Sequence, residues 1–126
     1  MPKPEIADVW VGRFASQAAL DAYLEETYSE TDEDSPISQF AADQGSWFYD
    51  HDFMEVKYLA EARDMLHLLE GFNGGQDYSA QVAAAVEWGR GWNTAMVVFR
   101  HEIESPRSAQ GEGYEVQYVG QYVCQF

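Results

Sequence analysis

Positive charge is what this sequence has least of. Seven Lys and Arg stand against 22 Asp and Glu, a net charge of −15 over 126 residues. Such a chain repels phosphate backbones and anionic headgroups, which argues against direct binding to nucleic acid or to a membrane surface. It favours fast, salt-sensitive association with something basic. Cysteine is nearly absent as well: Cys124 stands alone, so an internal disulfide and a multi-cysteine zinc site are both excluded. No apolar run reaches the roughly 18 residues of a membrane span. The N-terminal MPKPEIADVWV lacks the apolar core and cleavage site of a signal peptide, so a cytoplasmic protein is the simplest reading. Walker A, G-x-G-x-x-G and G-x-S-x-G runs are missing, and with them the usual phosphate loop and nucleophile elbow. The three histidines, His51, His67 and His101, show neither H-x₃-H nor H-E-x-x-H spacing.

What is there suffices for one packed domain. A chain of this length can bury a real core, and a hydrophobic content of 46% argues for a globule despite the charge. Residues 6–14 read as a strand with Val9 and Val11 on one face and Ile6, Trp10 and Phe14 on the other. Ser16 is placed to cap a helix whose apolar stripe is Leu20, Tyr23, Leu24 and Tyr28. Asp21 and Glu25, like charges four apart on its outer side, weaken that helix slightly where a lysine would have helped. Residues 30–35 are too acidic for anything but an exposed loop. Pro36 then opens a short helix capped by Ser35 and stopped at Gly45.

Residues 53–59 alternate as a strand does, although Asp52 and Glu55 also resemble a capping box; a strand followed by a helix over about 60–70 is preferred. After a glycine-rich turn at 71–77, residues 79–90 carry a helical stripe of Val82, Ala85, Val86 and Gly89. Residues 94–103 read as a central strand and 105–113 as a loop. In the last strand Val116, Tyr118, Tyr122, Cys124 and Phe126 share one face. The expected fold is α+β, a single domain of about four mainly antiparallel strands with three or four helices packed mainly on one face.

The unusual chemistry lies between residues 28 and 55. No Lys or Arg occurs between Arg13 and Lys57, yet half of the 22 acids do. The cluster Asp32, Glu33, Asp34 is followed by Trp47, Phe48, Tyr49 and then by Asp50 and Asp52. A surface meant only for solubility mixes both signs, so this stretch reads as a binding surface for a basic partner, with Trp47 and Tyr49 as aromatic anchors. The competing readings are plainer: acids as a solvated face, aromatics as core. A metal site at 32–34 misses the calcium-loop pattern, since Ser35 and Pro36 follow Asp34. His51, between Asp50 and Asp52, reads as a surface histidine rather than a ligand. Cys124 falls on an apolar face as an inert thiol, and W-G-R-G-W at 88–92 reads as a helix end whose tryptophans cap the core. No catalytic residue, metal site or cofactor is expected.

The residues V-W-V-G-R-F at 9–14, the Leu, Tyr and Glu-rich helix, the acidic loop, S-Q-F at 38–40, D-x-G at 43–45 and W-F-Y-D-H-D-F at 47–53 together resemble the immunity protein 22 family. The resemblance covers about residues 6–55 closely. It implies a small α+β protein that protects a bacterium by binding one of its own polymorphic toxins. The partner expected on both grounds is a cognate protein toxin with a basic surface, a nuclease being one class that fits. It would be met by Asp32, Glu33, Asp34, Trp47, Tyr49, Asp50 and Asp52. The alternative is a small acidic metal-dependent enzyme or metal-binding protein using the carboxylates around residues 50–52. Oligomeric state is not legible from the sequence.

Overall fold

The first strand, β1 (Pro4–Phe14), becomes the middle of the sheet. In the computed structural model, which describes residues 4–27 and 36–125, β1 pairs antiparallel with both β3 (Thr94–Phe99) and β5 (Tyr114–Gln125). β2 (Met54–Tyr58) adds outside β3, and the three-residue β4 (Ala109–Gly111) outside β5, giving the order β2-β3-β1-β5-β4. A strand in that position must be apolar on both faces. β1 and β3 meet the requirement, with Ala7, Val9, Val11, Ala95, Val97 and Phe99 on one side and Trp10, Phe14, Met96 and Val98 on the other.

Both faces therefore need cover, and the helices divide between them. α1 (Gln17–Leu24) and α2 (Gln39–Asp43) bring Leu20, Tyr23, Phe40 and Ala41 onto the Trp10 side. α3 (Met65–Leu69) and α4 (Gly75–Ala85) bring Met65, Leu68, Leu69, Tyr78 and Val82 onto the Val9 side. The α+β class and antiparallel sheet are as the sequence predicts; the helices, expected mainly on one face, lie on both. The fifth strand is β4, inside the segment expected as a loop.

Caps explain several boundaries. Ser16 Oγ accepts from the Ala19 N–H at 3.1 Å, as expected. For α2 the capping residue is Ser38, which accepts from the Ala41 N–H at 3.1 Å, not Ser35 ahead of Pro36. Asp64 accepts from the His67 N–H at 2.8 Å and delays α3 to Met65. β2 then α3 is the strand-then-helix order preferred from the pattern. α4 starts earlier than its stripe suggests, with Gly74, in the left-handed region at φ 70°, as its N-cap, and it stops earlier, at Ala85, where Val86 turns extended. β3 ends where Arg100 and His101 take positive φ of 64° and 55°; each such non-glycine residue costs about 1–2 kcal/mol.

One irregularity overturns a whole face. The pairing runs Trp10 with Tyr118 but Val9 with Gly120, so Val119 is an extra residue in β5. Side chains alternate with period two, and one inserted residue inverts every side chain beyond it. Val116 and Tyr118 accordingly pack on the Trp10 side, whereas Tyr122 and Cys124, expected on the same face, pack on the Val9 side.

Among the described residues, no helix is long and apolar enough to cross a membrane.

Candidate functional site

The turn over residues 45–53 is built by its neighbours before it presents anything. Gln44, almost wholly buried, holds both sides of the Arg107 peptide: its amide donates to Arg107 O at 2.9 Å and accepts from Arg107 N–H at 2.7 Å. Gly45 follows at φ 70°, with Arg107 packed so close that a Cβ there would lie 2.7 Å from its Nη2. A small backbone ladder follows: Thr27 N–H donates to Ile37 O at 2.7 Å, and Ile37 N–H to Trp47 O at 3.0 Å. Thr27 precedes the acidic stretch in the chain and Ile37 follows it; the two are bonded to each other, and Ile37 to Trp47. The candidate residues Asp32, Glu33 and Asp34 themselves lie outside the described residues.

The three aromatics part company. Trp47 and Phe48 are 53% and 56% exposed, whereas Tyr49 is 2% exposed. The Tyr49 ring meets Phe40 edge-on, centroids 5.4 Å apart at 90°, and burial holds its phenol above the usual range. Tyr49 thus sits in the core and offers no surface, while Phe48, which the sequence reading passed over, is as open as Trp47. The missed signal is geometric: Tyr49 fills the space over Phe40, and no local pattern in W-F-Y says which ring that will be.

Beyond the aromatics, Asp50 caps a single 3₁₀ turn, residues 51–53. Its Oδ1 accepts from the Asp52 N–H at 3.0 Å, and its own N–H donates to Glu102 Oε1 at 2.9 Å. His51 Nδ1 lies 3.1 Å from Glu26 Oε1, and Nε2 lies 3.5 Å from Asp52 Oδ1. The Glu26 hydrogen bond and charge raise the His51 pKa above its ordinary value. Asp52 projects into solvent, its side chain 78% exposed. The structure thus groups Trp47, Phe48, Asp50, His51 and Asp52 on one turn, with Glu26 and Glu102 against it.

Among the described residues, no Lys or Arg makes an ion pair with Asp50, Asp52 or Glu102. Four of the cations make other contacts: Arg13 and Arg90 pair with Glu115 at 3.0 and 3.2 Å, Lys57 donates to the carbonyls of His67 and Glu70, and Arg100 lies over the ring of Phe53, at the end of this same turn, at 4.3 Å. The W-G-R-G-W segment is structural, with Trp92 in the core and Trp88 packed against it.

As chemistry, this arrangement binds charge and apolar surface. Asp50 spends an oxygen on a backbone cap, and no group of three or more His, Cys, Asp or Glu among the described residues is placed to hold a metal. Cys124 is buried, with burial raising its thiol pKa, which disfavours the thiolate.

The family model described as Immunity protein 22 matches residues 7–125, nearly the whole chain and well beyond the closely resembling first half. Neither the curated proteins nor the solved structures contain a significant match.

Proposed function

Because the chain belongs to the immunity protein 22 family, with the immunity-protein role that membership carries, we propose that it neutralises a cognate protein toxin by stoichiometric, non-enzymatic binding through the 47–52 turn and the acids Asp32, Glu33 and Asp34 that precede it in the chain. One observation carries this reading: two large aromatics stand exposed next to each other, within a run of chain that has no Lys or Arg from Arg13 to Lys57. Aromatic anchors rimmed by charge are the composition of binding hot spots.

In this reading Trp47 and Phe48 enter a pocket of the toxin while Asp50, Asp52 and the acids Asp32, Glu33 and Asp34 meet its cations. Tyr49 supports the turn from below. A toxin with a basic cleft, such as a nuclease, is the partner whose surface matches, and the chain works in the cytoplasm without nucleic acid, membrane or cofactor. Opposite charge can lift association towards about 10⁸–10⁹ M⁻¹s⁻¹ at low salt, a useful speed against a toxin made in the same cell.

The test uses the toxin encoded beside the gene of this chain, purified and titrated by calorimetry. The expected result is one equivalent bound, with Trp47→Ala and Phe48→Ala together weakening affinity by roughly 30-fold or more, as hot-spot truncations do. Unchanged affinity in the folded double variant would remove this surface from the account.

A further inference from the structure

We propose that the outer edge of β2 is a strand-addition site, where an extended segment of the toxin pairs and becomes a sixth strand of the sheet. This deepens the toxin-binding reading above and rests on it. Two bonds fix which way the β2 backbone faces. Arg100 N–H donates to Ile6 O at 3.1 Å, and Leu59 N–H donates to Asn93 O at 2.8 Å. Backbone groups alternate sides along a paired strand. The first bond therefore turns Val98 towards β1 and Val97 towards β2; the second turns Lys57 and Glu55 towards β3. Met54, Val56 and Tyr58 are left facing outward. The Met54 N–H is taken by His51 O within the 3₁₀ turn. The N–H groups of Val56 and Tyr58, and the carbonyls of all three, have no backbone partner among the described residues.

The opposite edge of the sheet is treated differently. β4 covers Tyr114 and Val116, Ser108 Oγ accepts from the Tyr118 N–H at 2.8 Å, and Asp77 Oδ2 accepts from the Gln125 N–H at 2.7 Å. Only Gln121 and Val123, past the bulge, lie open between them. Exposed edges template unwanted pairing, so proteins cover, bend or charge them. β2 has no bulge and no proline. Its two charged side chains are tied back to the segment that follows. Glu55 Oε1 accepts from the Asn73 N–H at 2.9 Å, and the Lys57 amine donates to the carbonyls of His67 and Glu70 at 3.2 and 3.1 Å. A bare edge is what strand addition uses: main-chain bonds give affinity, and the flanking surfaces give specificity.

Position and charge name the occupant. β2 begins where the 51–53 turn ends, so its edge continues the surface that carries Trp47, Phe48, Asp50 and Asp52. Side chains of an added strand alternate between the two faces. On the Val9 side they meet an open groove between β2 and the turn at 70–72, where Glu55 and Glu70 stand against one cation, Lys57. On the Trp10 side they meet Val56, 37% exposed, flanked by Met54 and Tyr58. The segment that fits alternates basic with apolar residues. A second copy of the chain fits worse, because two bodies of charge −15 repel each other.

The test is amide hydrogen exchange of the full chain, alone and bound to the toxin encoded beside its gene. The Val56 and Tyr58 amides should exchange freely in the chain alone and be protected in the complex. Val56→Pro removes an outward N–H at an edge position that accommodates proline, and it weakens toxin binding by about tenfold or more. Val123→Pro, on the opposite edge, binds as wild type. Should Val56→Pro fail to fold, exchange in the wild-type complex decides alone. A complex in which both amides still exchange freely overturns strand addition and leaves the 47–52 turn as the contact. Full affinity in folded Val56→Pro does the same, as does equal loss in both proline variants. Binding weakened by Val56→Pro but not by Trp47→Ala with Phe48→Ala supports the edge and removes the turn. A wild-type chain that binds no toxin overturns both readings. A free chain that sediments as a dimer, dissolved by Val56→Pro, gives the edge to a second copy and overturns the proposal.

Discussion

Replacing Tyr49 by Ala and, separately, Trp47 by Ala separates the two roles that adjacent aromatics play in the 45–53 turn. Tyr49 ends a line of rings that runs from Tyr118 through Trp10 and Phe40, with successive centroids 5.2, 5.3 and 5.4 Å apart. Truncating a buried aromatic costs about 3–5 kcal/mol through lost burial and the cavity left behind, a large share of the roughly 5–15 kcal/mol that holds a domain together. Trp47, half exposed, has no comparable packing, and its truncation shifts stability by about 0.5 kcal/mol or less. The assay is urea unfolding followed by fluorescence and circular dichroism. With a slope of about 2 kcal/mol/M, Tyr49→Ala lowers the midpoint by about 1.5–2.5 M and Trp47→Ala by about 0.3 M or less. Tyr49→Phe keeps the ring and loses the Ser38 contact of the hydroxyl, for about 0.5–1.5 kcal/mol. Equal midpoints for the Tyr49 and Trp47 truncations would refute the placement of Tyr49 in the core.

Other outcomes follow from the same structure. Burial and the Asp43 carboxylate push the Tyr114 phenol up to about 12 and raise Tyr23 as well; burial and Asp8 likewise raise Tyr118. These groups stabilise the fold fully below the unfolded tyrosine pKa of about 10, and their contribution is lost as pH rises through the folded values. Alkaline unfolding above about pH 10 should therefore release phenolates cooperatively, and independent titration of each tyrosine would contradict it. The His51 pKa, raised mainly by Glu26, falls towards about 6.5 in Glu26→Gln; its contribution is present below that value and lost as pH rises through the folded one. NMR titration reads both, and an unmoved His51 would break the assignment. Gly45→Ala, at φ 70°, costs about 1–2 kcal/mol in thermal or urea unfolding, and a stability gain there would show that the backbone is not held left-handed.

What the sequence disclosed was whatever depends on near neighbours. Ser16 caps α1 because a hydroxyl three residues before a free N–H is a local geometry, and β1 reads as a two-sided strand because its apolar residues run on without alternation. Ser38 beats Ser35 for a reason that local pattern does not carry: Ile37 is drawn under Trp47 by its backbone bond, and the helix can begin only after it. The inversion at Val119 is equally invisible, since its alternation looks regular until β5 is laid beside β1. Division of the helices between two faces follows from β1 being central, which rests on pairing with strands about a hundred residues away. At the site, the charge asymmetry was fully legible, because it is composition. Which of three adjacent rings turns inward was not, because Phe40 decides it from another element.

The central claim concerns an acidic surface steering a basic partner, so the association rate with the cognate toxin as a function of salt tests it most directly. Stopped-flow mixing of wild type should give a rate that falls steeply with ionic strength, as steered encounters do. Charge reversal at Asp50 and Asp52, and separately at Asp32, Glu33 and Asp34, should slow association at low salt and flatten that dependence. A rate indifferent to salt in wild type, or one unchanged in both folded charge-reversed variants, would contradict the account.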